Sequence, residues 1–469
     1  MNIIPMNLKL SLQQTVDRLN AVFENVSALF TSVEGLRIQV SNREETFSSL
    51  EPKCGVVFRV MRQGRFFEAA TSSLNPEDWE SCRRDLMRMA DLPFTKPQAL
   101  SEVVLTTSKN RVEKTFETKV RLPLEQVPLQ EKFALCRDLS SYAVRRDSRI
   151  VNATALFKEE FIEEIFVDSQ KCLHQKLCRV DTLVLLVLHE NGNSIQIWDG
   201  ESLASGFEGA GLGYERIDRI IQDGNLLLKA ERLVPGFYDC VVSPAVSGMI
   251  AHEAFGHGAE TDMMAKGRSR GWHYLGKRVG SPLVNMLDFA RHSDSMTLFF
   301  FDHEGFEVTE PTRILKEGIL LQGISDAYSA SLLGLPKTPN GRRESYERKT
   351  YSRMTNTYFE PGEQSLQEMI ATIENGVLLD YPTNGMEDPK QWGIQVEALM
   401  AREIKNGKLT GLVYSPIIIT GYVPDLLQSV SMVSKEFAIS TLGMCGKGYK
   451  EWVKVHDGGP WLKLKARLG

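Results

Sequence analysis

A chain of 469 residues, 42% hydrophobic and 25% charged, has the composition of a globular protein of about two to four domains. Its net charge of −5 argues against a nucleic-acid surface. The longest apolar run, "TLVLLVL" at 182–188, is far short of the roughly 20 residues a membrane span needs, so no membrane partner is expected. The start, "MNIIPMNLKL", lacks a basic segment followed by an apolar run, and no signal peptide is expected. Seven scattered cysteines, an odd number, read as reduced thiols, and a cytoplasmic location is the expectation.

In chain order, Leu8 to Phe30 carries a helical pattern with apolar Leu12, Val16, Leu19, Val22 and Phe23. "LRIQVSNREETFSSL" and "GVVFRVMRQGRFFEAATSS" read as strands, the second as a hairpin turning at Gln63-Gly64. Residues 75–91 read as a helix. Pro93, Pro97, Pro123 and Pro128 mark a linking segment over 91–130. A helix then covers "LQEKFALCRDLSSYAVRR", followed by strands in which Val151, Ala153, Ala155 and Phe157 share one face. The glycines of "SGFEGAGLGYE" at 205–215 lack the spacing of a nucleotide-binding turn and read as a flexible or substrate-facing loop. From about 229 a strand leads to Ser243-Pro244, a helix N-cap and first-turn pair, and short strands dominate to the end.

This pattern predicts an α+β protein. An amino-terminal mixed α/β region is followed by a mostly antiparallel β carboxyl-terminal domain that carries one prominent helix. The predicted boundaries are 1–115, 116–228 and 229–469.

That helix contains "IAHEAFGHGAE", with His252, Glu253 and His257 close together. Zinc-hydrolase helices usually space their histidines i and i+4, about 40° apart around the axis, whereas i+5 leaves them about 140° apart. A π-type turn, or a helix ending before the second histidine, reconciles the spacing, and Gly256 and Gly258 permit either. A core helix with two structural histidines is the alternative. A third ligand is open among Cys445, His273, His292, His303, His456, Glu260 and Asp262. Cys172, His174 and Cys178 cluster without the spacing of a zinc site.

"HEAFGHGAETD", "FDHEGF" with "TRILKEGILLQGISDAYSASLLG", "GRRESYERKTYSRMTNTYFEPG" and "GMCGKG" resemble, in that order, the signature blocks of the TldD/PmbA family, once called modulator of DNA gyrase. The resemblance is to its TldD-like, metal-bearing branch and covers mainly 235–450. It implies Zn2+ held by His252, His257 and Cys445, with Glu253 as catalytic base. It also implies a zinc-dependent peptidase that hydrolyses short or unfolded peptides with metal-activated water. Family members work as dimers, so a homodimer or a heterodimer with a PmbA/TldE-like subunit is expected. The alternatives are a non-catalytic subunit or regulator and a metal-dependent amidase.

A peptide substrate would be recognised along its backbone, and Arg353, Thr355 and Asn356 have donors suited to that role. The basic and aromatic run from Arg342 to Arg353 is not read as a nucleic-acid patch, given the net negative charge. Two segments depart from the family pattern. One is "YKEWVKVHDGGPWLKLKARLG" after "GMCGKG"; the other is "DYPTNGMEDPKQWGIQV", bulkier than the family's glycine-rich stretch.

Overall fold

In the computed structural model, which describes residues 7–92, 111–292, 295, 297–439, 443–448 and 451–469, alternation of apolar and polar side chains builds two large sheets. The first has eight strands: β1 (Asn25–Val40), β2 (Glu45–Ser49), β3 (Lys53–Arg62), β4 (Arg65–Thr71), β5 (Val112–Glu117), β6 (Ile150–Asp168), β7 (Lys171–Glu190) and β8 (Asn193–Leu203). Their order is β4-β3-β1-β6-β7-β5, with β2 beside β1 and β8 beside β7. Strands from the predicted 1–115 and 116–228 regions thus share one sheet, joined where β1 pairs with β6.

Helices cover one face of this sheet. Helix α1 (Leu8–Asn20) and α2 (Trp79–Ala90) bury Leu12, Val16, Trp79 and Leu86 against Ala28, Phe30 and Phe58. Helix α3 (Leu129–Arg146) and α4 (Tyr214–Leu227) bury Leu139, Ala143, Ile217 and Ile220 against Ile38, Phe157 and Leu186. On the opposite face Leu29, Val57, Phe166 and Leu173 pack against Phe301 of the carboxyl-terminal half. Alternation along β1 explains the sorting: even-numbered residues face the helices and Leu29 faces the other half.

Several sequence readings find their elements here. Gln63 and Gly64 have φ of 50° and 73°, the left-handed pair a two-residue hairpin requires. The first helix, however, stops at Asn20 rather than continuing to Phe30. Val22 is 48% exposed, and β1 begins at Asn25 and is buried on both faces from Ala28 to Ser32. Val151 is also exposed, because a register shift between Ile150 and Asn152 turns it away from the face shared by Ala153, Ala155 and Phe157. Within the glycine-rich 205–215 stretch, Phe207–Gly209 forms a short turn and Gly213 caps α4, so this segment launches a helix. The linker prolines Pro93 and Pro97 lie outside the described residues.

The second sheet has twelve strands: β9 (Gly236–Val242), β10 (Met286–Asp288), β11 (Thr312–Lys316), β12 (Ile319–Leu320), β15 (Asn356–Phe359), β16 (Asn375–Asp388), β17 (Gly393–Lys405), β18 (Lys408–Tyr414), β19 (Ile417–Tyr422), β20 (Met432–Ile439), β21 (Gly443–Lys447) and β22 (Glu451–Leu468). A separate small ladder joins β13 (Gly341–Arg342) and β14 (Tyr351–Ser352). Most pairings are antiparallel; β9–β16 and β15–β22 are parallel. Because β9 pairs with both β16 and β22, the strands β22-β19-β17-β16-β9 close into a ring. The expected α+β architecture, with a β-rich carboxyl-terminal half around one helix, is what the chain adopts.

That helix, α5 (Pro244–Ala251), starts as its sequence predicts: Ser243 Oγ accepts the Val246 amide and Pro244 occupies the first turn. Val246, Ile250 and Ala251 share one core with ring residues Val242, Leu379, Val396, Ile419 and Leu462. A Cβ at Gly248 would overlap the Gly458 backbone, so glycine lets α5 lie directly on β22.

Ion pairs also join the two halves. Arg59 on β3 bonds Glu304, which Lys337 approaches at 3.3 Å. Burial raises the Glu304 carboxyl, but Arg59 and Lys337 outweigh it and hold the group at about 2. A folded-state value below the ordinary 4.5 gives stability that is complete above that pH and lost as pH falls towards about 2. Wild type is expected to lose thermal stability steadily from about pH 4.5 to about pH 2, by up to about 3 kcal/mol for this group. Melting curves across that range, compared with Glu304→Gln, check it: the variant should show a shallower decline.

Candidate metal centre

Helix α5 does not continue regularly through the motif. Residues His252–Gly256 form a π-turn in which the His257 amide donates to the His252 carbonyl, five residues back, and His257–Ala259 tighten into a 3₁₀ turn. Widening the helix by one residue brings i and i+5 onto one side, which an α-helix would separate. The two imidazoles consequently meet edge to face, with ring centroids 5.0 Å apart. Glycine is needed at Gly256, where a Cβ would overlap Met354 Sδ.

The third group arrives from the far end of the chain. Cys445 lies on β21, paired with Val453 of β22, and one donor atom from each of His252, His257 and Cys445 falls within 4.8 Å of the others. Cys445 Sγ stands 3.7 Å from His257 Nε2. His252 and Cys445 are buried, and His252 Nδ1 has no hydrogen-bond partner. Two nitrogens and a sulfur converging on one point suit a tetrahedral ion with metal–donor distances of about 2.0–2.3 Å. A buried imidazole nitrogen left unpaired is the kind of atom an ion would satisfy. The residues present therefore fit a metal.

Electrostatics agree with a thiolate. Burial pushes the Cys445 thiol up, but His257 and His252 outweigh it and hold the group well below its usual range. Burial lowers both histidines, and Cys445 more than reverses this in each, with Glu260 adding to the rise of His257. A deprotonated sulfur is the form that ligates.

Of the other ligand candidates, none joins the cluster. His273 is exposed, and His292 meets Tyr358 edge to face and Phe437 at a tilt. His303 pairs with Glu164 at 3.0 Å and accepts the Arg343 amide. His456 is buried two residues beyond Lys454 on β22. His174 of the Cys172–Cys178 group pairs with Glu163 at 2.8 Å across the β6–β7 hairpin.

Glu260 and Asp262 support the site instead of ligating. Glu260 Oε2 lies 3.1 Å from His257 Nδ1, leaving Nε2 to face the thiol, and Lys447 bridges Glu260 and Asp262 at 2.9 and 2.6 Å. Such a carboxylate fixes the tautomer and the plane of a ligating histidine. Replacing it with an amide, Glu260→Gln, is expected to weaken metal affinity about 10- to 100-fold with the fold intact, measured by competition with a chromogenic chelator.

Glu253, adjacent to His252, is buried and turned towards β16, where a Cβ at Gly385 would come within 2.6 Å of Glu253 Cγ. Gly385, one of two glycines in the bulky "DYPTNGMEDPKQWGIQV" segment, is thus where the strand and Glu253 come together. Nearby, Glu387 has both carboxylate oxygens buried and unpaired, facing the Gly258 amide. Burial pushes that carboxyl well above its usual range, with Glu253 and Glu260 adding to the rise and His257 opposing it. Sequence reasoning did not single out Gly385, Glu387 or Lys447; only the proximity of "GMCGKG" to the Cys445 candidate hinted at the last.

Arg353, Thr355 and Asn356 require a correction. They are 1%, 1% and 0% exposed, and most of their donors are engaged internally, Arg353 Nε being buried without a partner. Arg353 bonds the Cys445 and Glu451 carbonyls, Thr355 bonds Asp288, and Asn356 bonds the Phe289 and Thr297 carbonyls. They brace the hairpin and core, and a peptide cannot reach them.

Comparison with known proteins places this geometry. The PmbA/TldA metallopeptidase carboxyl-terminal domain model matches residues 235–466. A metalloprotease of Methanocaldococcus jannaschii is 28% identical over 88% of this chain and 90% of its own length. A zinc metalloprotease TldD homologue of Saccharolobus solfataricus is 33% identical over 51% of this chain and 52% of its own. Among solved structures, a protein titled as a modulator of DNA gyrase from Thermotoga maritima shares the fold with a TM-score of 0.77, covering 99% of both chains at 18% identity. TldE of Thermococcus kodakarensis does so with a TM-score of 0.76, covering 97% of this chain and 100% of its own at 17% identity.

Proposed function

Since the chain belongs to the TldD/PmbA family, whose relatives bear metalloprotease names, we propose that it is a zinc-dependent peptidase acting on short or unfolded peptides. The observation that carries this reading is the π-turn, which sets His252 and His257 against Cys445 and leaves Glu253 beside them. A purely structural ion has no need of that glutamate.

Zinc, when bound by His252, His257 and Cys445, supplies a Lewis acid and an acidified water at neutral pH. Glu253 takes the proton of the attacking water and returns it to the leaving amine. Gly385 keeps strand β16 against Glu253, and Glu260 holds His257 in one tautomer. Thr383, Asn384 and Met386 are exposed on the strand that covers Glu253, and they form the approach a peptide would take. The exposure of this segment, which departs from the family pattern, supports a specificity that depends on this chain's own residues. Pairing with a second copy or a PmbA/TldE-like chain belongs to the same reading; sedimentation of the chain alone and with such a partner tests it.

Zinc-loaded protein assayed against peptides of increasing length and against small amides tests the activity. Cleavage of peptides that disappears with a chelator and returns with zinc is the expected result. Turnover of small amides with no peptide cleavage would replace the peptidase by an amidase.

A further inference from the structure

A cavity of about 350 Å³ lies between the first sheet and the carboxyl-terminal half. Met444 and Lys454, paired across the β21–β22 hairpin, line it, and successive strand residues alternate faces. None of His252, His257 and Cys445 is among the residues lining it, so the cavity is distinct from the metal centre.

Its charges do not balance by contact. Four of the five acids lining the cavity have cations of their own: Glu160 is paired with Lys158 and Lys454, Glu164 with His303, Asp302 with Lys337, and Glu344 with Lys53; the fifth, Glu51, is exposed to solvent. Arg343 is taken by Glu68. Two buried guanidiniums remain, Arg179 and Arg342, and neither has a carboxylate within ion-pair distance among the described residues. Arg342 is engaged by backbone alone, through the Met354 and Lys454 carbonyls, and lies over the Phe299 ring. Arg179 makes one long hydrogen bond, Nη2 to the Leu298 carbonyl at 3.4 Å, and its Nε is buried without a partner. Thr31 Oγ1 and Arg343 Nε, also lining the cavity, are buried and unpaired as well.

Burial is the largest cause of the fall in Arg342, Lys454 and His456, and Arg179 depresses all three further, while Asp288 opposes the fall of Arg342 and Asp181 and Glu160 oppose that of Lys454. Arg179 is itself lowered by burial, which Glu160, Glu164 and Asp181 offset only in part. A buried charge without a counter-charge is costly, and guanidinium groups match the oxygen geometry of carboxylate and phosphate. The volume is in the range of small-ligand sites.

We infer that this interlayer cavity is a binding site for a small oxyanion, a carboxylate or a phosphate, held by Arg179 and Arg342 with Thr31 as a further polar contact. The site is independent of the hydrolytic reading, since it needs no metal and none of the three clustered donors lines it.

Calorimetric titration of the full chain with inorganic phosphate and, separately, with succinate tests this. Saturable binding with a Kd below about 1 mM, weakened tenfold or more both in Arg179→Gln and in Ile162→Trp, is the expected result. Ile162 lines the cavity, so tryptophan there fills the space while every cation stays in place, and this variant keeps the test decisive if Arg179→Gln fails to fold. Binding of phosphate alone identifies a phosphate ligand, and binding of succinate alone a carboxylate. No saturable binding of either probe up to about 10 mM, or binding unchanged in Ile162→Trp, overturns the inference.

Discussion

Glu253→Gln is expected to abolish peptide cleavage while leaving metal content and thermal stability near those of wild type. Glu253 is not among the three clustered donors, so an amide there spares ion binding. The same change removes the proton acceptor, and general acid–base groups typically contribute about 10²- to 10⁴-fold to rate. Glutamine preserves the close fit against Gly385, which alanine would not. Steady-state cleavage of an unstructured peptide, alongside elemental analysis and a melting curve, checks all three readouts. A variant that cleaves at more than about a tenth of the wild-type rate would remove Glu253 from the chemistry.

Cys445→Ser is expected to act earlier, on the ion itself. The thiolate is the one anionic donor of the three, and its replacement leaves two neutral imidazoles and a hydroxyl that stays protonated at neutral pH. Outer partners such as Glu260 are worth about 10- to 100-fold in metal affinity. A direct ligand should exceed that, so a loss of at least about 100-fold is expected. Arg353 bonds the backbone carbonyl of Cys445, not its sulfur, so the hairpin should persist in the variant. Chelator competition with both proteins measures the loss, and circular dichroism reports the hairpin-bearing fold.

How far these residues could be read from sequence depended on the range of their interactions. Ser243-Pro244 and Gln63-Gly64 were legible because capping and turn geometry are decided within a few residues. The i+5 spacing of His252 and His257 called for a π-turn or a helix end before His257, and the π-turn is what forms, since one extra residue per turn returns the side chains to one side. Cys445 stood out from sequence only through its glycine neighbours and the family resemblance. Spacing could not choose it over His303 or His456, because β-strand pairing 188 residues further along the chain delivers it to His257.

Arg353 shows the opposite failure. Its polar neighbours suggested a surface that receives a peptide, but its acceptors, the carbonyls of Cys445 and Glu451, lie more than ninety residues away. A donor that is satisfied by distant backbone looks, in sequence, like a donor waiting for a ligand. The end of the first helix was misjudged for a local reason. Val22 and Phe23 continue the helical period past Asn20, where α1 ends, and the strand that follows is held by pairing with β3 and β6.

X-ray absorption at the zinc edge on the purified, zinc-loaded wild-type chain tests the central claim most directly. Two nitrogen neighbours at about 2.0–2.1 Å and one sulfur at about 2.3 Å are expected, with the sulfur shell missing in Cys445→Ser. A wild-type spectrum with no sulfur neighbour, or one unchanged by the substitution, would contradict a centre built from His252, His257 and Cys445.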